Sequence, residues 1–568
     1  MTAFLLFLFL ILLARLAWIQ LYRGEELTAE ALTQRTRRIE IEEYPRGSIL
    51  DRNGIPLTGA VLTTALYAIP EETIGGQMSP GPGSSTNSKT LDYMTRQITG
   101  CLNGENSYSI KRNLLQAMAT GKPAVRIASD LKPDEIRNFK SCGLPGLLVA
   151  PEIKRYRKDG FAAHLLGYVD GGEPIKGLAG IEKCYDGLLG QEDGITRLVS
   201  VLDARGEAIR GLQMRMASNN QVPRGSVVLT IDKRVQQAVE DVMNSRVGKG
   251  AVVIMDVRSK QILAMASRPV YDPYNIETTI KNDQNGSLNN RCLMSYPPGS
   301  LFKLLVAAAA LDEGIVRSND RFVCTGEYRF NQEAVIPCWK KQGHGNIRFD
   351  EAFAQSCNSV FIQTGLRLGR ERLIRYVRQM HLADEAIGGF TYGAAGTGVN
   401  IDGGEAALGN ASIGQQGVML SPVQLCSLVA TIADHGVWGK PSVVAYTVDR
   451  QGVKKELSAS ELLQTMKPDT AREMQKLMAK AVNEGTGQNA ATGQIAVAGK
   501  TGTGQTGNIG RDNKELLNTW FAGYFPANQP RWAMVVLVEE GRSGAEDAAP
   551  VFRDITDKLV KILPAGDK

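Results

Sequence analysis

The first apolar segment of the chain covers residues 3–22, in which only Arg15 and Gln20 are strongly polar. A helix needs about 20 apolar residues to cross a bilayer. No small-x-small cleavage site follows, so the pattern predicts an uncleaved membrane anchor at residues 1–24 rather than a removed signal peptide. Positive residues accumulate after the segment, a side that the positive-inside rule places in the cytoplasm, although large domains translocate largely regardless of nearby charge.

Two further patterns predict the interior of a folded domain. Residues 301–311 form an apolar, alanine-rich run that a Pro-Pro-Gly sequence precedes and that Gly314 ends. Proline at the start and glycine at the end are typical of a helix, and the composition predicts a buried one. Three β-type runs near the C-terminus predict an antiparallel meander: 495–498, 518–526 and 532–538.

Length and composition indicate more than one domain. The chain has 568 residues, of which 43% are hydrophobic and 22% charged, as in ordinary globular proteins. A polar stretch at 218–225 precedes a strand-like run at 226–231. We therefore predict the anchor, an N-terminal module at 25–220 and a C-terminal domain at 221–568. The formal net charge of +6 is small for this length, and nothing indicates nucleic-acid binding.

Three short motifs carry the candidate chemistry, in the order that a serine acyl-transfer enzyme needs. They are Ser300-Leu-Phe-Lys303, Ser356-Cys-Asn358 and Lys500-Thr-Gly502. Each is weak evidence alone, since a second Ser-x-x-Lys string occurs at 129–132. There, however, Pro133 follows directly and disfavours a helix, whereas Ser300 opens the predicted buried helix and a lysine three residues on shares its face.

A serine hydroxyl needs a base within hydrogen-bond distance, and Lys303 is the candidate base for Ser300. Its amine must be neutral to accept a proton, which requires a pKa lowered by burial and by a second cation, for which Lys500 is the candidate. The apolar neighbours of Lys303 disfavour an ordinary solvated role. The backbone N–H of Ser300, at a helix N-terminus, can form half of an oxyanion hole.

The three motifs, with Gly499–Thr503 completing the third, resemble the active site of penicillin-binding proteins and serine β-lactamases. The rest of the chain, from about Tyr44 onward, resembles the class B penicillin-binding proteins, which are monofunctional transpeptidases. The cysteine between Ser356 and Asn358 is similar to that of sporulation-specific members. The resemblance rests on these stretches: 44–57, 155–169, 180–186, 250–269, 414–417, 421–422 and 520–526.

The resemblance implies a role for each motif residue. Ser300 would be the acylated nucleophile and Lys303 its base, and Ser356 would relay the proton to the leaving amine. Asn358 would hold the amide of the donor peptide, and Lys500 would supply electrostatic support. The third motif would bind substrate: Thr501 and Thr503 its carboxylate, the N–H of Thr503 its oxyanion, and Gly502 and Gly504 an extended backbone that adds to the strand.

The resemblance also implies a multidomain α+β fold. Its parts would be a transmembrane helix, an elongated N-terminal pedestal of the penicillin-binding protein dimerisation type, and a serine β-lactamase-like transpeptidase domain with an antiparallel sheet flanked by helices. It implies a single-pass cell-membrane protein with its catalytic domain outside. Peptidoglycan stem peptides would be its substrates and β-lactams its inhibitors. Its partners would be a membrane-embedded glycan polymerase and proteins of division or elongation, and no cofactor is expected.

Three functions fit these motifs. The first is cross-linking of peptidoglycan by a D,D-transpeptidase that acts in cell shape, cell division or sporulation. The second is a β-lactamase or β-lactam sensor, but one lactamase class uses a Glu-x-x-Leu-Asn string between the second and third motifs, and the nearest similar string, 515–518, follows Lys500. The third is a catalytically silent membrane scaffold, which the complete motifs disfavour.

Eight cysteines are present, and Cys357 lies inside the second motif. Because neighbouring thiols oxidise outside the cytoplasm, we hypothesise that Cys338 or Cys324 pairs with Cys357 and lowers activity until reduced. The alternative is that these cysteines are free, buried and apolar in character. No metal site is expected, because the histidines lack ligand spacing: His164, His344, His381 and His435.

Overall fold

The structure, a computed structural model, describes residues 2–22, 37–43, 46–59, 61–73, 85–102, 107–120, 124–142, 144, 146–170, 175–190, 196–202, 215–217, 225–283, 285–332, 334–384, 387, 390, 398–457, 461–510 and 513–563. The chain forms two compact units. The first unit contains 1–45, 59–155 and 191–222, and the second contains 46–58, 156–190 and 223–568. Two segments of the predicted N-terminal module thus belong to the second unit, and the predicted boundary after residue 220 lies outside the described residues.

The strands of the described residues are numbered in chain order. They are β1 Arg37–Glu43, β2 Ser48–Leu50, β3 Val61–Ala68, β4 Val125–Ala128, β5 Leu147–Lys154, β6 Thr196–Leu202, β7 Arg215–Ala217, β8 Ser226–Leu229, β9 Gly250–Asp256, β10 Ile262–Arg268, β11 Arg321–Cys324, β12 Glu327–Arg329, β13 Val335–Pro337, β14 Gly345–Arg348, β15 Gly398–Val399, β16 Val418–Met419, β17 Val437–Trp438, β18 Val444–Val448, β19 Lys454–Glu456, β20 Leu463–Gln464, β21 Ala498–Ile509, β22 Glu515–Phe525 and β23 Trp532–Gly541.

The α-helices of the same residues are α1 Thr2–Tyr22, α2 Pro70–Thr73, α3 Ser85–Cys101, α4 Ser107–Thr120, α5 Pro133–Cys142, α6 Ala163–Leu166, α7 Gly180–Cys184, α8 Asp186–Leu189, α9 Lys233–Arg246, α10 Ile276–Asn282, α11 Lys303–Asp312, α12 Phe349–Ala354, α13 Asn358–Leu368, α14 Arg370–Gln379, α15 Glu405–Ser412, α16 Pro422–Ala433, α17 Pro468–Asn483 and α18 Ala549–Ile562. Short 3₁₀ turns cover Gly299–Phe302 and Gln488–Ala490, and a π-turn covers Gly544–Ala548. A search limited to the described residues finds no helix with the length and apolarity that a membrane crossing demands.

The first unit contains two three-stranded sheets, ordered β1-β6-β7 and β4-β3-β5. Its apolar core joins β3, α3 and α4 through side chains such as Leu66, Ile98 and Leu114. The second Ser-x-x-Lys string lies here, and Ser129 and Lys132 both precede α5 rather than sharing a helix. Ser129 and Lys132 therefore do not share a helical face, as the proline that follows them predicts.

The second unit is built on a five-stranded antiparallel sheet, ordered β10-β9-β23-β22-β21. Its last three strands are the predicted meander, with Lys500 opposite Ala522 and Ala522 opposite Val535. The first of these strands begins at Ala498, three residues later than predicted. Because β21 lies at the edge of the sheet, its outer backbone groups are not used by a neighbouring strand of that sheet.

Both faces of this sheet are covered by helices, because side chains alternate along its central strands. On β9, Val253 belongs to the core on one face and Val252 and Ile254 to the core on the other. Helices α11 and α16 contribute to the first core, and α9 and α18 to the second. The buried helix predicted from 301–311 is α11, and its first eight residues are all fully buried.

A four-stranded sheet, ordered β19-β18-β8-β2, connects the 46–58 segment to the C-terminal part of the second unit. Strand β2 runs parallel to β8. Beside it, Arg46 Nε lies 2.6 Å from Glu182 Oε2, and both side chains are buried. The buried carboxylate of Asp51 accepts hydrogen bonds from the backbone N–H groups of Ile55 and Lys233, at 2.8 and 3.1 Å, so it fixes the start of α9.

Candidate active site

Ser300 lies in the 3₁₀ turn Gly299–Phe302, and Lys303 is the first residue of α11. A 3₁₀ helix has three residues per turn, so side chains at i and i+3 eclipse one another. The turn therefore aligns the Ser300 and Lys303 side chains more directly than the α-helical face that the sequence predicted. Ser300 is partly exposed whereas Lys303 is fully buried, which is compatible with the predicted roles of nucleophile and base.

The Lys303 amine connects the first motif to the second. Its Nζ donates to the backbone oxygen of Ser356 at 2.9 Å, to Ser356 Oγ at 3.3 Å and to Asn358 Oδ1 at 2.7 Å. The ring of Phe361 lies 5.5 Å from the same nitrogen. One amine thus touches both functional side chains of the second motif, as proton transfer between Lys303 and Ser356 requires.

The second motif forms the turn between α12 and α13. Ser356 has a φ of +53°, which is uncommon for a non-glycine residue and typical of functional turns. Asn358 begins α13, and its Nδ2 donates to the backbone oxygen of Pro337 at 3.1 Å. The Asn358 amide is therefore held from both sides, by Lys303 at its oxygen and by the end of β13 at its nitrogen.

The third motif lies on β21 beside the nucleophile turn. Lys500 is fully buried, and its Nζ donates to the backbone oxygen of Thr501 at 3.2 Å. Thr501 Oγ1 lies 2.6 Å from Thr486 Oγ1, so this hydroxyl is shared with a residue that the sequence analysis did not consider. Thr503 Oγ1 accepts from the backbone N–H of Gly544 at 3.4 Å and remains partly exposed.

The two buried amines have lowered pKa values. Burial lowers the pKa of Lys303 to about 8, while the neighbouring Cys357 and Cys338 sulfurs act in the opposite direction. Burial, and then the positive charge of Lys303, lower the pKa of Lys500 well below its ordinary range. From the sequence, the Lys500 charge was predicted to lower the pKa of Lys303. Burial is the main cause there instead, and the like-charge effect is found at Lys500.

The glycines of the third motif serve the packing of the nucleophile turn. A Cβ atom at Gly504 would lie 2.1 Å from the backbone oxygen of Pro297, and one at Gly502 would lie 2.8 Å from that of Pro298. The sequence analysis assigned these glycines to the approach of a ligand backbone. Their lack of a side chain is already required for β21 to contact the turn that carries Ser300.

Sequence reasoning missed a brace formed by the 414–417 string. The backbone N–H of Gly299 donates to the oxygen of Gly414 at 2.9 Å. Gln415 Nε2 donates to the oxygen of Thr503 at 3.3 Å, and its Oε1 accepts from the N–H of Gln505 at 3.2 Å. The brace therefore holds both the nucleophile turn and β21. The Gly-Gln-Gln-Gly string was visible in the sequence, but nothing local indicated its neighbours.

The predicted redox cysteines do converge. Cys324, Cys338 and Cys357 are buried free thiols, and Cys338 Sγ lies 4.0 Å from Cys357 Sγ. The ligand atoms of these three residues and of His344 all lie within 4.8 Å of one another, so together they could hold a metal ion. The sequence predicted no metal site, because its four histidines are scattered without ligand spacing, and the convergence of His344 with three cysteines is not visible in the sequence. The disulfide stays a prediction.

Comparison with known proteins places this geometry in a family. Residues 250–557, more than half of the chain, match the penicillin binding protein transpeptidase domain, and residues 41–222 match the penicillin-binding protein dimerisation domain. The chain is 28% identical to stage V sporulation protein D of Bacillus subtilis, over 96% of this chain and 82% of that protein. It is 27% identical to the peptidoglycan D,D-transpeptidase FtsI of Escherichia coli, over 98% and 91%.

A solved structure has the same fold. It is the D,D-transpeptidase domain of a peptidoglycan glycosyltransferase from Eggerthella lenta, with a TM-score of 0.60 and 21% identity, and the match covers 93% of this chain and all of that one. The matching domains, in the order dimerisation then transpeptidase, agree with the three motifs and the sheet that carries them. The chain therefore belongs to the penicillin-binding protein transpeptidases, and within them to class B.

Proposed function

We propose that this chain is a serine D,D-transpeptidase that cross-links peptidoglycan stem peptides through an acyl-enzyme at Ser300. The observation that carries the proposal is the position of the Lys303 amine, buried one turn from Ser300 and bonded to Ser356 Oγ and Asn358 Oδ1. Membership in the transpeptidase family supports the reaction class. Stage V sporulation protein D and FtsI, whose names refer to sporulation and D,D-transpeptidation, support the same reading.

In the first half-reaction, Ser300 Oγ attacks the carbonyl carbon of the penultimate D-Ala of a donor stem. The hydroxyl proton passes to the neutral Lys303 amine, and the backbone N–H groups of Ser300 and Thr503 stabilise the oxyanion. The peptide C–N bond then breaks. The proton returns through Ser356 to the leaving nitrogen, D-Ala departs, and the donor remains as an ester on Ser300.

In the second half-reaction, an amine of a neighbouring stem attacks the ester carbonyl. Lys303, neutral again, accepts a proton from that amine through Ser356, and the C–O bond to Ser300 breaks as the new amide forms. Ser300 Oγ recovers its proton from Lys303. A β-lactam stops this cycle because its amide nitrogen stays tethered after ring opening and blocks the position of the incoming amine.

Substrate binding follows from the edge position of β21. An extended peptide adds to an exposed sheet edge through backbone hydrogen bonds, and the outer edge of β21 runs beside Ser300. Thr503 is partly exposed and would bind the donor carboxylate together with Thr501. Because the Thr501 hydroxyl is already shared with Thr486, we expect Thr503 to make the larger contribution.

A fluorescent penicillin tests the proposal. We expect a stable covalent adduct on the Ser300 peptide, absent from Ser300→Ala and retained in Ser129→Ala, which alters the other Ser-x-x-Lys string. The chain should also exchange the terminal D-Ala of a pentapeptide stem for an added D-amino acid. Rapid release of the hydrolysed penicillin would instead indicate a β-lactamase. Absence of any adduct on folded protein would indicate the catalytically silent scaffold.

We further propose that residues 1–24 anchor the chain in the cell membrane, with the catalytic domain outside. The apolar sequence of residues 3–22 supports the anchor. A membrane-embedded glycan polymerase and division or elongation proteins would be the partners. Protease treatment of intact cells should degrade the catalytic domain only if it is outside, and crosslinking followed by purification should recover the polymerase.

A further inference from the structure

Four side chains of metal-ligand type converge beside the second motif, and we call them the thiol–imidazole cluster: Cys324, Cys338, His344 and Cys357. The three cysteines are at most 2% exposed, and the histidine is half-buried. Along the chain, Cys324 ends β11, Cys338 follows β13, His344 precedes β14 and Cys357 precedes α13. The cluster therefore links two small antiparallel strand pairs to the helix that begins with Asn358.

The distances within the cluster are close to those of a tetrahedral zinc site. Zn–S bonds of about 2.3 Å and Zn–N bonds of about 2.0 Å give S···S and S···N edges of roughly 3.8 and 3.5 Å. Cys338 Sγ lies 4.0 Å from Cys357 Sγ and 3.7 Å from His344 Nδ1. No ligand atom is more than 4.8 Å from another. The ligand atoms would need to move by only a few tenths of an ångström to about one ångström to reach these distances.

The donor atoms are also available. Cys324, Cys338 and Cys357 carry free thiols. His344 presents Nδ1 to the cluster, 3.7 Å from Cys338 Sγ, so Nδ1 is the imidazole nitrogen available to a metal ion. A donor set of three sulfurs and one imidazole favours Zn²⁺ over the harder ions Mg²⁺ and Ca²⁺.

The backbone around the cluster is packed closely enough to fix the ligands. Gly326 and Gly343 have φ angles of +100° and +79°. A Cβ atom at Gly343 would lie 2.3 Å from the oxygen of Cys324, and one at Gly326 would lie 2.1 Å from that of Lys341. The N–H of Cys338 donates to the oxygen of Gly326 at 2.8 Å. Glycine at these two positions thus lets the loops that carry the first three ligands meet.

We propose that the thiol–imidazole cluster binds one Zn²⁺ ion and that this ion positions the second motif. Cys357 lies between Ser356 and Asn358, so a bond from its sulfur to the metal would fix the turn that holds both side chains. The Asn358 amide already donates to Pro337, the residue before Cys338. The ion is a structural one in this proposal, with four protein ligands, and it takes no part in the reaction itself.

Metal content tests the site directly. The full-length chain, purified in detergent without chelator, is expected to hold one zinc ion per chain by elemental mass spectrometry. Cys324→Ser and Cys338→Ser should lose it, whereas Cys292→Ser, which alters a buried cysteine outside the cluster, should keep it. Equal zinc content in all four proteins would overturn the proposal.

A second measurement uses the wild-type chain alone, so it does not depend on the folding of variants. After removal of zinc by a chelator, added Co²⁺ should give the visible absorption of a tetrahedral thiolate centre. A wild-type chain that holds no zinc and gives no such absorption would overturn the proposal. So would a Cys338–Cys357 disulfide in non-reduced peptides of the purified chain, because that bond would consume two of the four ligands.

The positioning role rests on the proposed function and has its own readout. Removal of the ion is expected to slow acylation of Ser300 by a fluorescent penicillin about 10- to 100-fold, as loss of a supporting shell does elsewhere. Readdition of Zn²⁺ should restore the rate. An unchanged rate in metal-free protein would overturn the positioning role. Failure of acylation in the zinc-loaded chain would instead contradict the proposed function, while the metal measurements would still stand.

Discussion

If Lys303 is the base of the proposed function, its amine sets the pH range in which Ser300 can react. Burial lowers its pKa to about 8, and only the neutral amine can accept the serine proton. The rate of acylation by a fluorescent penicillin is therefore expected to rise with pH through about 8 and then level off. Thermal melting at each pH provides the control for unfolding. A rate that does not change between pH 6 and 9 would contradict Lys303 as the base.

His164 links stability to pH at a site away from the motifs. Burial lowers its pKa from 6.5 to about 4, and its Nε2 lies 2.7 Å from the backbone oxygen of Ser287. Between these two values the unfolded chain binds more protons than the folded one, so stability falls as pH falls. The expected loss is at most about 3 kcal/mol. Urea unfolding at pH 7.5 and 4.5 should show a smaller loss for His164→Asn. Equal losses in both proteins would contradict this assignment.

At the scale of elements, the site depends on the contact between the nucleophile turn and β21. Gly299 has a φ of +53°, and a Cβ atom there would lie 2.1 Å from the oxygen of Thr503. Gly299→Ala must therefore displace the turn, and a shift of about 1 Å costs about 100-fold in acylation rate. Gly314→Ala is the matched control, because its φ is +68° and nothing lies within 4 Å of the added atom. Similar acylation by the two variants would contradict the role of this contact.

The brace from Gln415 gives a second test of the same contact. Its side-chain amide makes hydrogen bonds to the backbone of Thr503 and Gln505. At about 1 kcal/mol each, their loss in Gln415→Ala is expected to lower the acylation rate by up to about 30-fold. The exposed neighbour provides the control, since Gln416→Ala should acylate at the wild-type rate. An equal loss of acylation rate in both variants would contradict a specific role for the Gln415 hydrogen bonds.

The helices and strands that could be predicted are those whose sequence signal comes from neighbouring residues. The alanine-rich helix, the meander and the Ser300–Lys303 spacing are read from neighbouring residues, because periodicity and short offsets decide them. The brace and the thiol–imidazole cluster were not, because their members meet only after the chain has folded. Gly502 shows the same limit. The sequence around Gly502 suggested a ligand as its neighbour, whereas the Pro298 carbonyl and the Leu301 side chain, each 2.8 Å from an added Cβ, leave no room for a side chain there.

At the scale of the whole molecule, the second unit is assembled from three separate parts of the chain. The parts 46–58 and 156–190 supply eight buried members of its core: Ile49, Leu57, Phe161, Ala162, Leu165, Leu166, Ile181 and Leu189. Burial of one such side chain is worth about 1.5–3 kcal/mol, so together they contribute roughly 10 kcal/mol or more. A domain has a net stability of only about 5–15 kcal/mol. A fragment beginning at residue 225 lacks this contribution and is expected to aggregate or to melt far below the full chain.

A protein that contains only the three parts of the second unit, joined by linkers, tests whether all three parts are needed. The N–H of Gly59 donates to the oxygen of Arg155 at 2.8 Å, and an added Cβ at Gly225 would lie 2.6 Å from the oxygen of Leu188. Short glycine-serine linkers can therefore join 46–58 to 156–190 and the latter to 225–568. This protein is expected to unfold in one cooperative transition and to be acylated by a fluorescent penicillin at the wild-type rate, because the three motifs and both cores are complete. If the fragment 225–568 proves as stable and as reactive as the linked protein, the two inserted parts are dispensable, and the second unit folds from the C-terminal sequence alone.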